Sequence, residues 1–266
     1  MARIPVHGSC HICGVYTKLS FEHVPPRSAF NNRPILFQAG EDMLRAADPD
    51  DVKQIAQRGA GAHTLCPKCN NDTGRWYGGG FAEFAHQAMA VLHHTRGRAT
   101  LYCSFDLFPL RVFKQVICMF FSINGPSFAR ANPELVNFVL NREASGLNPK
   151  YGVYGYYNAS ARGRSSGVAA SASLSSGTST IRVMSEAAFP PLGFLLAFSS
   201  EPPDDRLVDL SFMAKYHYND RKDLVFRLPV LPVYTGFPGD YRDRDTVRRQ
   251  AGETMAAMRT NGRDGA

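Results

Sequence analysis

Two pairs of cysteines, each with two residues between its members, are the side chains in this sequence best suited to chemistry. They are Cys10 and Cys13, then Cys66 and Cys69. Two intervening residues let both sulfurs of a pair reach one ion, and four thiolates complete the tetrahedral shell of zinc with no open position. We therefore predict one structural zinc ion that joins two distant segments of the chain. A disulfide is the alternative, and His7 and His11 are alternative ligands.

A second set of polar residues lies between these pairs and directly after them. Glu22 and His23 are adjacent in the sequence, and Asn70 follows the last cysteine. Histidine can accept a proton near neutral pH, whereas a carboxylate and an amide oxygen suit a hard cation such as Mg²⁺ or Mn²⁺. This set favours hydrolysis of a phosphodiester, which needs an activated water and a cation that neutralises charge on the phosphate.

The order of these motifs resembles that of the HNH endonuclease family. The similarity is carried by EHVPPRS, which begins at Glu22, and by TLCPKCN, which ends at Asn70, and it covers about the first third of the chain. The resemblance implies a ββα-metal fold in which His23 is the general base, and Glu22 and Asn70 bind a catalytic Mg²⁺ or Mn²⁺. It implies an endonuclease that acts on nucleic acid, with DNA favoured over RNA. Restriction or phage defence is the cellular role suggested by analogy.

The sequence departs from the family pattern at one position and leaves others open. Gly61 stands where the family has its central asparagine, nine positions before the metal-binding one. A glycine carbonyl can still orient the base, so the activity remains the expectation. Asn71 is an alternative to Asn70 as the second ligand of the catalytic metal. The candidates for accessory roles in the site are Asn71, His63, Arg27 and Arg75.

Two functions without catalysis remain as alternatives to the nuclease. One is a zinc-containing module that binds nucleic acid without cutting it, and the other is an interaction scaffold that recruits a protein. Zinc binding alone needs no set of carboxylate, imidazole and amide, which is why the nuclease is preferred over both.

Composition and charge describe the class of protein to which this chain belongs. Of its 266 residues, 44% are hydrophobic and 20% are charged, which is typical of a globular protein. The longest apolar run, residues 116–121, is too short to cross a membrane, and the N-terminus lacks the apolar stretch of a signal peptide. We therefore expect a cytoplasmic location, where C-x-x-C pairs bind metal more often than they form disulfides. The net charge of +7 permits a polyanionic partner.

The composition divides the chain into three segments. Residues 1–98 are predicted to form the zinc-stapled nuclease domain, residues 99–240 an α+β domain of unknown role, and residues 241–266 a polar basic tail. The second domain is expected to dock a partner protein, form a homodimer, sense a trigger or select the target. The predicted fold class is therefore α+β, with a small ββα-metal domain followed by a larger mixed domain that contains an antiparallel sheet.

Hydrophobic periodicity and turn residues predict the elements of each segment. In the first segment we expect strands over 15–21 and 62–65, a helix over 52–57 that starts at residues 48–51, and an amphipathic helix over 81–92. In the second we expect buried helices over 110–123 and 134–140, followed by five strands. The predicted strands cover residues 151–157, 167–174, 178–184, 193–199 and 224–231. Cys103 and Cys118 are predicted to be core residues, because their neighbours are apolar.

Overall fold

A computed structural model describes residues 5–37, 54–94, 97–175 and 178–261. Helices and strands are mixed, and a small β-β-α unit near the N-terminus precedes a large sheet whose strands are mostly antiparallel. The predicted fold class is confirmed. No helix among the described residues is both long enough and apolar enough to span a bilayer.

Six short strands precede the first helix in the described part of the chain. They are β1 (His7–Ser9), β2 (Tyr16–Lys18), β3 (Ser20–His23), β4 (Ile35–Phe37), β5 (Gln54–Ala56) and β6 (Gly61–Leu65). They form three antiparallel pairs, β1 with β2, β3 with β6, and β4 with β5. The strand predicted over 15–21 is therefore two strands, which pair with different partners on either side of Leu19.

The helix predicted over 52–57 is wrong where the structure describes it. Residues Gln54–Ala56 are strand β5, because their backbone pairs in an antiparallel ladder with Ile35–Phe37. The start expected for this helix, at residues 48–51, lies outside the described residues, as do residues 52 and 53. The strand predicted over 62–65 is confirmed as part of β6.

A nearly continuous helical path follows β6. Helix α1 (Pro67–Thr73) leads into a turn of π-helix (Gly74–Gly78) and then into α2 (Gly79–Leu92). Cys66 caps α1, and Pro67 begins it because proline has no N–H to leave unpaired there. The helix predicted over 81–92 is thus confirmed, and it begins two residues earlier than expected.

The second segment contains most of the sheet and a buried helix. After β7 (Thr100–Leu107), the helices are α3 (Pro109–Asn124), α4 (Pro126–Ala131) and α5 (Pro133–Leu140). The remaining strands are β8 (Tyr151–Asn158), β9 (Arg164–Ser175), β10 (Thr178–Phe189), β11 (Leu192–Phe198), β12 (Val208–Asp209) and β13 (Lys222–Leu231). The sheet has the order β7-β13-β8-β11-β10-β9, with β12 beside β8, and only β8 and β13 pair in parallel among these described strands. Both predicted helices and all five predicted strands are present, whereas β7, α4 and β12 were not predicted.

Helix α3 packs between the two segments and is buried almost all round. The apolar core around it includes Leu65 and Tyr77 from the first segment as well as Phe194 and Phe226 from the second. The Tyr77 hydroxyl also donates a hydrogen bond of 2.8 Å to the carbonyl of Val139. The two segments therefore share one core, and their boundary near residue 98 stays a prediction.

The remaining predictions concern two cysteines and the tail. Cys118 on α3 is buried, as predicted, whereas Cys103 is only half-buried and its thiol lies 3.5 Å from the Tyr157 hydroxyl. Part of the tail forms a terminal helix, α6 (Arg244–Asn261).

Candidate metal centre and adjoining cleft

The four cysteines of the C-x-x-C pairs come together in the fold. The sulfurs of Cys10, Cys13, Cys66 and Cys69 all lie within 4.8 Å of one another. The Cys13 and Cys66 sulfurs are 3.9 Å apart, which matches the separation of about 3.8 Å expected between two ligands of a tetrahedral zinc ion with Zn–S bonds near 2.3 Å. All are free thiols, so the alternative of a disulfide is not seen. This cluster can hold a metal ion.

Local backbone structure brings the sulfurs into position. Gly14 adopts a left-handed conformation (φ 73°) and donates its N–H to the Cys10 carbonyl at 2.9 Å, which turns the chain back after the first pair. In the second pair, the N–H of Cys69 lies 3.4 Å from the Cys66 sulfur at the start of α1. The His11 ring contacts the Ser122 carbonyl at 3.1 Å. That histidine is therefore engaged by α3 rather than by the cluster.

Proximity also couples the protonation of the thiols. A hydrogen bond from the Cys69 thiol lowers the pKa of Cys10 to about 4, and the same bond raises the pKa of Cys69. Four clustered thiols cannot all be ionised without a cation between them. A bound metal ion would supply that charge, so the donor set fits a metal and is poorly suited to remaining empty.

Glu22, His23 and Asn70 line one cleft, of about 290 Å³, beside the cysteine cluster. Adjacent residues on a regular strand point to opposite faces, so Glu22 and His23 need a distorted strand to share a site. The β3–β6 ladder has a register shift between Ser20 and Phe21, and β3 ends at His23. The three side chains predicted from the sequence are thus brought together.

The His23 ring is held by a backbone carbonyl. Its Nε2 lies 2.9 Å from the oxygen of Arg58, and a carbonyl can only accept, so Nε2 carries the proton and Nδ1 is left as an acceptor. Burial lowers the pKa of His23, and the nearby guanidinium groups of Arg58 and Arg27 lower it further. The imidazole is therefore neutral near pH 7, the form that can accept a proton.

Asn70 is oriented by β3. Its Nδ2 donates to the Ser20 hydroxyl at 2.9 Å and to the Phe21 carbonyl at 3.3 Å. Because the amide nitrogen is fixed on the strand, the amide oxygen is the end left to bind a ligand. The neighbouring Asn71 is exposed and is absent from the lining of the described cleft. The geometry therefore favours Asn70 over Asn71 as the functional amide.

The Glu22 carboxylate lies in the cleft wall without a partner for its negative charge. No hydrogen bond or ion pair reaches it from the part of the chain that the structure describes, and burial raises its pKa to about 7. A carboxylate in such surroundings is costly to ionise on its own, and a nearby cation removes that cost.

Asn31, rather than Gly61, joins the segment that follows His23 to the segment that leads into β6. Its Nδ2 donates to the carbonyls of Pro25 and Ala60, each at 2.7 Å. We expected the Gly61 carbonyl to orient His23. The Arg58 carbonyl forms the hydrogen bond with the His23 ring instead. Gly61 instead pairs with His23 across the β3–β6 ladder.

The accessory candidates divide between the cleft and the surface. Arg27 lines the cleft, whereas Arg75 is exposed and pairs with Asp72 at 3.4 Å. His63 is exposed on β6, and its ring packs edge-on against Phe21 at 5.4 Å, outside the lining of the described cleft.

Gln115 on α3 also lines the cleft, and the sequence did not lead us to predict it there. A signal was present, because Lys114 and Gln115 are the two polar residues inside an otherwise apolar helical run, residues 112–121.

The cleft is not the largest depression on the protein. A depression of about 480 Å³ lies beside α5, and Glu134 is its only ionisable lining residue in the described structure. Glu134 is exposed and pairs with Lys150 at 3.2 Å, so that depression offers no group with unusual chemistry. Comparisons of the chain with models of known protein families, with curated proteins and with solved structures find no match.

Proposed function

We propose that this protein is a metal-dependent endonuclease that hydrolyses phosphodiester bonds of nucleic acid. The observation that carries the proposal is the convergence of Glu22, His23 and Asn70 on one cleft, with His23 presenting a free Nδ1. A carboxylate and an amide oxygen beside a neutral imidazole form a set that hydrolysis of a phosphodiester needs and that protein recruitment does not.

In the proposed mechanism, each side chain has one role. His23 takes a proton from a water molecule through Nδ1, while its Nε2–H bond to the Arg58 carbonyl keeps the ring in place. The water attacks phosphorus, and the bond to the leaving oxygen breaks. Glu22 and Asn70 would hold Mg²⁺ or Mn²⁺, which supplies positive charge against the phosphate and the leaving oxygen.

The cysteine cluster has a structural role in this proposal. Four thiolates satisfy zinc completely and leave no position for a substrate, so zinc would stabilise the fold without taking part in the reaction. Asn70 directly follows Cys69 on α1, and zinc bound to that cysteine would therefore also hold the amide beside β3. A small β-β-α unit has little apolar core of its own, which is the condition under which a structural metal stabilises most.

The expected substrate is DNA, and positive charge near the cleft supports a polyanionic substrate. Arg27 lines the cleft, and the Arg58 guanidinium lies 4.1 Å from the centre of the Phe21 ring, next to the His23 strand. Guanidinium groups in such positions bind phosphate oxygens and set the register of the backbone without reading sequence. The cytoplasmic location, the defence role and a homodimer or partner protein bound through residues 99–240 stay predictions.

Plasmid nicking in the presence of Mg²⁺ or Mn²⁺ tests the proposal. We expect the zinc-loaded protein to convert supercoiled DNA to the nicked form, and His23→Ala to abolish this while it keeps the thermal melting temperature of the parent. His94→Ala is the matched control, because His94 is exposed at the end of α2, away from the cleft.

The outcomes separate the nuclease from its alternatives. If His23→Ala cuts as fast as the parent, the assignment of the base is wrong. If the parent shifts DNA or RNA on a gel but shows no metal-dependent cleavage, the non-catalytic zinc module replaces the nuclease.

A further inference from the structure

Gln115 is a buried amide whose oxygen has no partner. It lies in the middle of α3 with only 2% of its surface exposed, and no donor among the described residues bonds to its Oε1. Leaving a buried acceptor unpaired costs about 1–3 kcal/mol. The adjacent Lys114 shows the ordinary arrangement, since its ammonium group donates to the carbonyls of Asn141 and Arg142.

Gln115 lines the cleft that also contains Glu22 and Asn70. Helix α3 thus forms one wall of the candidate site, although it belongs to the second segment of the chain. Burial and, to a smaller extent, the Glu22 carboxylate raise the pKa of Cys118, which lies three residues after Gln115 on α3. Glu22 and Gln115 therefore face the same cleft from β3 and from α3.

Three of the residues that line the cleft carry no side chain. Gly74, Gly78 and Gly79 line the cleft along the π-helix and the start of α2. A methyl group placed on Gly78 would lie 3.9 Å from the Gln115 Oε1, at ordinary van der Waals contact, so this glycine is next to the amide oxygen. The unpaired oxygen, itself shielded from solvent, therefore lies beside a lining residue that carries no side chain.

We propose that the Gln115 amide oxygen is a third protein ligand of the cation that Glu22 and Asn70 hold. One carboxylate oxygen and two amide oxygens are a hard donor set of the kind that Mg²⁺ and Mn²⁺ prefer, with water and phosphate oxygens completing the shell. The inference rests on the proposed function for the presence of that cation. It makes the site composite, because α3 supplies a ligand from outside the β-β-α unit.

Binding of Mn²⁺ to the full-length, zinc-loaded protein, measured by isothermal titration calorimetry without DNA, tests this assignment. We expect Gln115→Leu to weaken Mn²⁺ binding by roughly tenfold or more. In metal-free buffer the same variant should melt at the parent's temperature or above it, since it removes an unpaired buried amide. Gln115→Glu, which offers a charged oxygen at the same place, should bind Mn²⁺ at least as tightly as the parent.

Gln87→Leu is the matched control. Both ends of the Gln87 amide are bonded to the backbone of Asp106, at 2.7 and 3.0 Å. This substitution should lower the melting temperature and leave Mn²⁺ binding unchanged, the reverse of the result for Gln115→Leu.

These experiments test the Gln115 ligand and the nuclease activity separately. Unchanged Mn²⁺ affinity in Gln115→Leu, or no Mn²⁺ binding by the parent, overturns the ligand assignment even if His23-dependent cleavage is present. Mn²⁺ binding that depends on Gln115 in a protein that cuts no nucleic acid supports the ligand and overturns the nuclease.

Discussion

The side chain of Asn31 is bonded to the backbone of Ala60 through both of its ends. Its Nδ2 donates to the Ala60 carbonyl at 2.7 Å, and the Ala60 N–H donates to its Oδ1 at 2.7 Å. Asn31 is fully buried, and Ala60 also accepts a hydrogen bond from Val24, the residue after His23. This pair therefore joins the loop that leaves β3 to the residues that lead into β6, beside the carbonyl of Arg58.

Asn31→Ala should destabilise the protein by about 2–4 kcal/mol, because the buried Pro25 carbonyl and the partly buried Ala60 N–H lose their partner and the Ala60 carbonyl loses one of its two donors. Urea denaturation followed by circular dichroism measures the loss. Asn32→Ala is the control, since the neighbouring asparagine is exposed, and its expected effect is within about 0.5 kcal/mol. Equal stability of the two variants would contradict the bridging role of Asn31.

The bridging position of Asn31 could not be predicted from the sequence, whereas the common location of Glu22 and His23 could. The dipeptide and the cysteine pairs are local patterns, so their spacing alone indicates the chemistry. Asn31 bonds to a residue 29 positions away, and nothing in the sequence near it indicates that partner. The resemblance to the HNH pattern points to position 61 instead, which is a glycine.

Placing the family's asparagine at position 61 should disrupt the site rather than improve it. A Cβ on Gly61 would overlap the carbonyl oxygen of Glu22 on the paired strand. We expect Gly61→Asn to lower stability by about 2 kcal/mol or more and to reduce cleavage, since β3 and β6 must separate to accommodate it. Thermal denaturation and the nicking assay measure both effects.

The matched control for that substitution is Gly252→Ala on α6. A Cβ at position 252 meets no atom within 4 Å, and alanine favours a helix over glycine. This variant should be as stable as the parent or slightly more so. A Gly61→Asn protein that behaves in the same way would show that the two strands tolerate the side chain.

Removing one cysteine of the cluster should release the metal and unfold the first segment. We expect the purified protein to contain one zinc ion per chain, and Cys69→Ser to lose it and to melt at a markedly lower temperature, because binding of structural zinc contributes directly to folding. Metal analysis and thermal denaturation test this. Cys103→Ser is the control, since its thiol contacts Tyr157 rather than the cluster. Parent protein that is folded without metal and has four reactive thiols in the cluster would contradict the prediction.

The cysteine cluster and Gln115 mark the limit of what the sequence could reveal about the site. Short spacing within each C-x-x-C pair predicts a shared ion whatever the rest of the chain does. Gln115 reaches the cleft only because α3 packs against the first segment, and this contact depends on the whole core. The residue was predicted to be part of a buried helix, and its polarity within that helix was the only indication of another role.

The stability of zinc-loaded protein in buffer free of Mg²⁺ and Mn²⁺ should fall as the pH rises toward 7, because of Glu22. Burial raises the pKa of this carboxyl from 4.5 to about 7 in the folded state. Between these values the folded protein binds more protons than the unfolded chain, so its free energy of unfolding decreases with increasing pH. A shift of this size corresponds to a loss on the order of 3 kcal/mol once the pH exceeds 7.

Glu22→Gln cannot ionise, and its free energy of unfolding should therefore exceed that of the parent increasingly from pH 5 to pH 8. Urea denaturation at several pH values measures this difference, with Glu201→Gln, an exposed glutamate, as the control. A constant difference between parent and Glu22→Gln across that range would show that the carboxylate is ionised without cost in the absence of its cation.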